Sequence, residues 1–309
     1  MWLMDSRTKR VVGLSLAAAF AAFALQATVS AWGMDVHRLI TRHAIEGLPA
    51  ELKPFFTAKV DFISEHVVEP DLWIQLDLSS GKLGNEAPNH FLDFDGFKDP
   101  FPFKNVPKQW DAVVQKYGAD LANRNGRLPW RAEEIFNKLV DLFTAMGRPN
   151  GAYGADNVRY VSAIMAHYVE DAHQPFHAVE SYDGQATNQR GIHSRFETEL
   201  VLRNKERFNK SAVTVQPIAD IKEFIFQALL DDQQYIPAIL DADKRATTGR
   251  DAYDDGYFAD FAKNGALSIA EKRYADSASA VASVWVAAWT KAGKPKLDDP
   301  ARTPAKIRR

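Results

Sequence analysis

Five stretches of this chain repeat apolar residues at intervals of three and four, the spacing of one face of an α-helix. Val36 to Leu48 sets Val36, Leu39, Ile40, His43, Ala44 and Leu48 at that spacing. Arg131 to Met146 continues it with Ile135, Leu139, Leu142 and Phe143. Val158 to Ala172, Ile218 to Leu230 and Leu267 to Ala288 are three more, the last long enough for about five turns or more. Several alternating apolar/polar runs bounded by turn pairs, which a sheet would need, are not found. The expected fold class is therefore all-α. Loops are expected where Gly, Pro and Asn gather: Asp95 to Val106, Gly147 to Gly154, Ser181 to Gly191 and Thr247 to Asp255.

The chain has 309 residues, of which 46% are hydrophobic and 25% charged, so a disordered tail, a collagen-like fibre and a polytopic membrane protein are excluded. Residues 1–31 read as an export signal. Arg7, Lys9 and Arg10 open it, Val11 to Leu25 is continuously apolar, and Val29-Ser30-Ala31 offers small residues for cleavage. A retained membrane anchor is the competing reading, disfavoured by the many alanines and by Gln26, Thr28 and Ser30. Cleavage near Ala31 leaves a mature chain that begins at Trp32 and works in the periplasm or outside the cell. No internal repeat or composition break divides the remainder. One domain is expected over residues 32–290, followed by a basic, Pro-bearing, frayed tail over 291–309. Formal charge is −2, so no global basic field advertises nucleic acid. Cysteine is absent, which leaves only nitrogen and oxygen to hold a metal.

Histidine carries the chemistry. Five of the eight stand beside carboxylates: His37, His90, His167, His177 and His193. The densest segment is Ala166-His167-Tyr168-Val169-Glu170-Asp171-Ala172-His173-Gln174-Pro175-Phe176-His177. His167 and Asp171 are four apart and leave one helical face a turn apart. Pro175 ends that helix, so His177 can swing back toward the pair. His193 and Glu197 repeat the spacing in Gly191-Ile192-His193-Ser194-Arg195-Phe196-Glu197. A single His-x-x-x-Asp most often marks a surface pair. Two such pairs, joined by a His-Gln-Pro-Phe-His turn in a chain with few histidines, favour a nitrogen and oxygen cage for zinc. His43 and His66 lack that context and are expected to be ordinary, and His173 to be structural or to support the ligands.

At these residues the chain resembles the superfamily of bacterial zinc-dependent phospholipases C and the single-strand-specific zinc nucleases of fungi and plants. The likeness lies in Trp32-Gly33 with His37, in Asn89-His90-Phe91-Leu92-Asp93, in the His-x-x-x-Asp-x-His-Gln-Pro-x-His stretch and in Gly-x-His-Ser-x-x-Glu. These four motifs run in family order from Trp32 to about Val201. The resemblance implies a helical domain holding three zinc ions in a cleft. By the same resemblance, Asp71, His90 and His167 hold one ion of a close pair, and Asp171 bridges to the other. The second ion is chelated by His37 and by the amine and carbonyl of Trp32, and the third by His177, His193 and Glu197. Asp71, taken from Glu69-Pro70-Asp71-Leu72-Trp73, would also orient or deprotonate the attacking water; Asp61, Asp77 and Asp93 compete for its place. The interval from His90 to His167 is extended, so an insertion around Phe97 to Pro129 is expected to reshape one cleft wall.

Three ions against Asp71, Asp171 and Glu197 leave a cationic pocket suited to a phosphate. Zinc also brings the pKa of water to about 7. The expected activity is hydrolysis of a phosphodiester, phospholipase C-like on lipid head groups. Single-strand cleavage to 5′-phosphates is the alternative, and a non-catalytic zinc-binding exported protein is the third possibility. Glu197 and the Ala-His-Tyr-x-x-Asp-Ala-x-Gln-Pro-Phe-His-Ala wording resemble the phospholipase branch, whereas Trp32-Gly33 resembles the nuclease start. Phe101, Phe103, Trp110 and Trp130 are available to stack bases, although aromatics in a helical protein mostly fill cores. The substrate partner is thus a phospholipid or a single-stranded nucleic acid, and no stable protein partner is implied. An uncleaved precursor carries an amide in place of the Trp32 amine and should lack one zinc, so processing and activation are expected to be coupled.

Overall fold

Prolines and short polar caps set the helix borders. The computed structural model describes residues 32–80, 85–149 and 151–297; the segment expected to be an export signal and the end of the basic tail fall outside them. Seven helices of twelve residues or more build the body. They are α1 (Met34–Glu46), α2 (Glu69–Ser80), α3 (Leu128–Met146), α4 (Ala155–Asp171), α5 (Ile221–Asp232), α6 (Ile236–Thr247) and α7 (Leu267–Lys291). Pro129 and Pro237 sit in the first turns of α3 and α6, where a missing N–H costs nothing. The Asp220 carboxylate accepts from the Glu223 N–H and starts α5 three residues later than the periodicity of Ile218 to Leu230 predicts. Shorter helices fill the connections, and no strand occurs among the described residues. The fold is all-α.

Helix α4 is the axis. Fourteen of its seventeen residues are buried, because α3, α7, α1 and the short helix Val60–His66 all pack on it. A helix covered on every side needs apolar residues all round. α4 obeys with Val158, Val161, Ala163, Ile164, Met165, Ala166 and Val169, and breaks the rule at Arg159 and Ser162 earlier on and at a final group of three, His167, Glu170 and Asp171. Each of these three has no exposed surface. Burying such groups is costly unless each is paired, so their grouping at one end of α4 marks function rather than stability.

The segment expected to be an insertion forms a small wall of its own. It carries the short helices Trp110–Tyr117 and Ala119–Arg124 and an aromatic packing of Phe94, Phe103, Trp110, Trp130 and Phe226. Past Lys291 the chain does not leave the body at once. Trp289 Nε1 donates to the Pro295 carbonyl, and Leu297 packs against the core. Among the described residues no helix is long and apolar enough to cross a membrane.

Candidate metal centre

The C-terminal turns of α4 deliver His167 and Asp171 to one face, and Pro175 stops the helix just beyond. Around them the fold gathers Asp71 from the first turn of α2 and His90 from the 3-10 turn Ala87–His90. Four donor atoms converge. His90 Nδ1 lies 2.9 Å from Asp171 Oδ2, 3.0 Å from His167 Nε2 and 3.8 Å from Asp71 Oδ1. His167 Nε2 lies 3.3 Å from Asp171 Oδ2 and 3.8 Å from Asp71 Oδ1. Zinc–ligand bonds of 2.0–2.1 Å give a regular tetrahedron edges of about 3.3 Å. The five separations straddle that length. All four side chains are at most 4% exposed. Asp71, His90 and His167 form one buried triad able to hold a cation, with Asp171 against both imidazoles.

Beside this cluster lies a second locus. His37, on the first turns of α1, points Nε2 toward Asp171 Oδ1 at 3.6 Å. Both atoms are buried and neither has a hydrogen-bond partner. An imidazole nitrogen and a carboxylate oxygen that face each other without a hydrogen bond are groups a cation can join once the ring is neutral. His37 Nδ1 is taken by Glu170 Oε2 at 2.5 Å, and Thr41 Oγ1 donates to the other carboxylate oxygen at 2.7 Å. Glu170 thus fixes the ring so that only Nε2 is presented, the usual carboxylate–imidazole arrangement behind a metal. Trp32 is fully buried beside it and donates its indole N–H to the Glu170 carbonyl at 2.8 Å. Ala31, on the far side of the Trp32 amine, is outside the described residues.

The third cluster joins His177, His193 and Glu197. His177 Nδ1 donates to the His90 carbonyl and His193 Nδ1 to the Tyr182 carbonyl, so both rings turn Nε2 inward. His193 Nε2 is 2.9 Å from Glu197 Oε2. The spacing predicts one plain helical turn here, and the structure differs. His193 lies in the short helix Ile192–Ser194, while Glu197 lies in a π-helical turn, Arg195–Glu199. Such widened turns are rare and cluster at functional sites. Between the two ligands, Arg195 is buried and clamped: its guanidinium meets Asp243 Oδ1 at 3.0 Å and donates to the Arg190 carbonyl at 2.7 Å. The π turn also touches the start of the chain. A Cβ on Gly33 would come within 2.3 Å of Thr198 Oγ1, so only glycine lets Trp32 approach this closely.

Charge in the centre follows from burial and neighbours. Burial pushes the His37 imidazole down, but the Glu170 hydrogen bond and the Glu170, Asp171 and Asp71 charges outweigh it and lift it to about 9. His90 is pressed down by burial and lifted to about 10 by Asp171, Glu86 and Asp71. Burial pushes the Asp171 carboxyl up, yet His167, His177 and His90 hold it well below the usual carboxylate range. Burial brings His177 down to about 3, which keeps its Nε2 lone pair available. Glu197 is raised by burial, with His193 and Gln174 pulling back.

The competitors of Asp71 sit elsewhere. Asp61 is on the surface with Arg42, Asp77 accepts the Glu86 N–H, and Asp93 is buried near Asp95 and Glu180, whose charges join its burial in raising its carboxyl. His43 bonds the Ser211 carbonyl, His66 pairs with Glu69, and His173 donates to the Val169 carbonyl, all apart from the three clusters. Two carboxylates escape the sequence reading. Glu170 was hidden by its neighbour Asp171, although Thr41 lies one turn from His37. Glu86 stands four residues before His90, bonded by the Tyr168 hydroxyl and 3.6 Å from His90 Nε2. Of the four aromatics considered for stacking, Phe103 and Trp130 are buried, Trp110 packs on Trp130, and Phe101 is 67% exposed.

The buried His/Asp/Glu triads are therefore able to hold metal ions, with His167 shared between two of them. Set against known proteins, the chain matches no family profile and no curated sequence.

Proposed function

We propose that this chain is a zinc-dependent phosphodiesterase of the phospholipase C type, exported and acting on phospholipid head groups. The observation that carries it is the buried triad of Asp71, His90 and His167, with Asp171 against both imidazoles, beside two further donor groups. Asp71, His90, His167 and Asp171 would hold one ion, His37, Asp171 and the Trp32 amine and carbonyl a second, and His177, His193 and Glu197 a third. When bound, zinc supplies positive charge for a phosphate and a water acidic enough to ionise near neutral pH. The chain's own part is orientation and proton handling. Asp71, at the edge of the first cluster, is the carboxylate proposed to aim the attacking water and take its proton while the bond from phosphorus to the glycerol oxygen breaks. Glu170 and the His90 and Tyr182 carbonyls hold the His37, His177 and His193 imidazoles by Nδ1, so these donors need little rearrangement.

Single-strand nuclease activity is the second reading. Phe101, 67% exposed, supports it as a stacking surface. The test is a parallel assay of the mature chain, starting at Trp32, on a chromogenic choline phosphodiester and on single-stranded DNA. Turnover of the choline ester, insensitive to 50–200 mM salt, is the expected result. Cleavage of DNA alone, falling by orders of magnitude over that salt range, would replace it with the nuclease reading. No hydrolysis of either with metal bound would leave a zinc-binding protein without catalysis.

A further inference from the structure

Gln174 spends every polar atom it has on the segments that supply ligands. It is fully buried. Its backbone N–H donates to the Asp171 carbonyl at 3.0 Å, and its carbonyl accepts from the His177 N–H at 2.9 Å. Its side-chain Oε1 accepts from the Phe176 N–H at 2.6 Å and so caps the 3-10 turn Pro175–Ala178 that carries His177. That bond settles the orientation of the amide, because Oε1 is committed to a backbone donor. The amide nitrogen must then face the third cluster. There it lies 2.7 Å from Glu197 Oε2 and 2.8 Å from His193 Nε2. His193 gives its Nδ1 proton to the Tyr182 carbonyl, so its Nε2 has a single lone pair, which an ion would take; the bond compatible with a bound ion is the one from the amide to the Glu197 carboxylate.

Four proposed ligands, Asp171, His177, His193 and Glu197, therefore meet one neutral residue that is itself no ligand. Two of them come from the end of α4 and its turn, and two from the short helix Ile192–Ser194 and the π turn that follows it, about twenty residues further on. The hydrogen bonds of His177 itself stay away from that second segment: its Nδ1 goes to the His90 carbonyl, its N–H to Gln174, and its carbonyl accepts from the Leu92 N–H. We infer that Gln174 is the positioning residue of the His177/His193/Glu197 cluster, tying the His177 turn to the π-helical segment so that three donor atoms from two pieces of chain face one point. A hydrophobic side chain of the same length would fill the space but break the tie on both sides.

The inference rests on the metal reading of this cluster, and the test separates the two. Metal-stripped mature wild type, Gln174→Met and Gln174→Glu are titrated with Co(II), counting bound ions by calorimetry and by visible absorption, with thermal melting alongside. Wild type should take three ions. Gln174→Met keeps the volume and should hold one ion 10–100-fold more weakly, with the other two unchanged, as is usual when the partner of a ligand is removed. Gln174→Glu keeps the acceptor that caps the Phe176 N–H but has no N–H for Glu197, so it should weaken the same ion; wild-type affinity there would overturn the tie to Glu197 as the source of the effect. Unchanged affinities in Gln174→Met would overturn the role assigned to Gln174. A uniform loss of all three ions with a lower melting temperature would overturn it as well, since that is what damage to the fold alone produces. A wild-type chain that binds only two ions would remove the metal reading of this cluster, and the inference with it.

Discussion

At the scale of single residues, Asp171 bears the heaviest demand. Its Oδ2 faces His90 and His167 while its Oδ1 faces His37, so one carboxylate serves two donor groups. Asp171→Asn keeps the size and the helix but removes the charge and offers an amide nitrogen where an oxygen should bind. Without that negative charge the repulsion between two dications rises, and α4, packed on all sides, cannot shift to relieve it. Both ions of the pair should be lost together while the ion at His177, His193 and Glu197 stays. Were Asp171 an ordinary helix carboxylate, its neutralisation would cost at most about 1 kcal/mol and no metal. Metal counting on the purified variant distinguishes these outcomes: three ions with normal hydrolysis would contradict the bridging role. Ligand types and their pairing at four-residue spacing were legible in the sequence, because His167 with Asp171 and His193 with Glu197 are local. Glu170 and Gln174 were not. What they hold, His37 and Glu197, lies 133 and 23 residues away, and no local spacing records such a meeting.

At the scale of elements, the long amphipathic helices could be read from periodicity, since α1, α3, α4, α5 and α7 each bury a stripe against neighbours. Helix α2 could not. It keeps Asp71 buried yet leaves Leu72 and Leu76 exposed, so its apolar residues do not mark its inner face. The π turn Arg195–Glu199 was equally hidden, because a widened turn is imposed by what clamps it. Here the clamp is Asp243 of α6, which receives the Arg195 guanidinium, the Tyr257 hydroxyl and the Gln189 amide. Asp243→Asn removes the buried counter-charge of Arg195. Breaking such a pair from one side costs about 3–5 kcal/mol. The variant should melt at lower temperature than wild type. It should also bind the ion at His193 and Glu197 less tightly, because these ligands flank Arg195. Equal melting and equal metal content would show that the π turn holds its shape without the clamp.

At the scale of the whole molecule, loading the centre is a proton exchange. In the metal-free chain His37 and His90 are held at about 9 and about 10, above the usual 6.5 of an unfolded histidine. Their protonation therefore stabilises the metal-free fold fully below pH 6.5, and that contribution is lost as pH climbs through 9 to 10. A metal needs both rings neutral, so uptake at pH 7 should expel about two protons and affinity should climb by up to about 100-fold per pH unit until the rings have titrated. Calorimetry in buffers of different ionisation enthalpy reads the proton count directly; uptake without proton release would contradict it. The same centre also dates itself along the folding route. Trp32 meets the Glu170 carbonyl across 138 residues, and Gly33 seats against Thr198 further on still. Contacts of such long sequence separation close late, after the local helices have formed and the loop entropy between them has been overcome. A chain cut before His167 has histidines but neither of the first two clusters, and one cut before Glu197 lacks the third. An ion in the first two clusters would therefore report that residues 32–171 have closed, and one in the third that the segment to Glu197 has joined them.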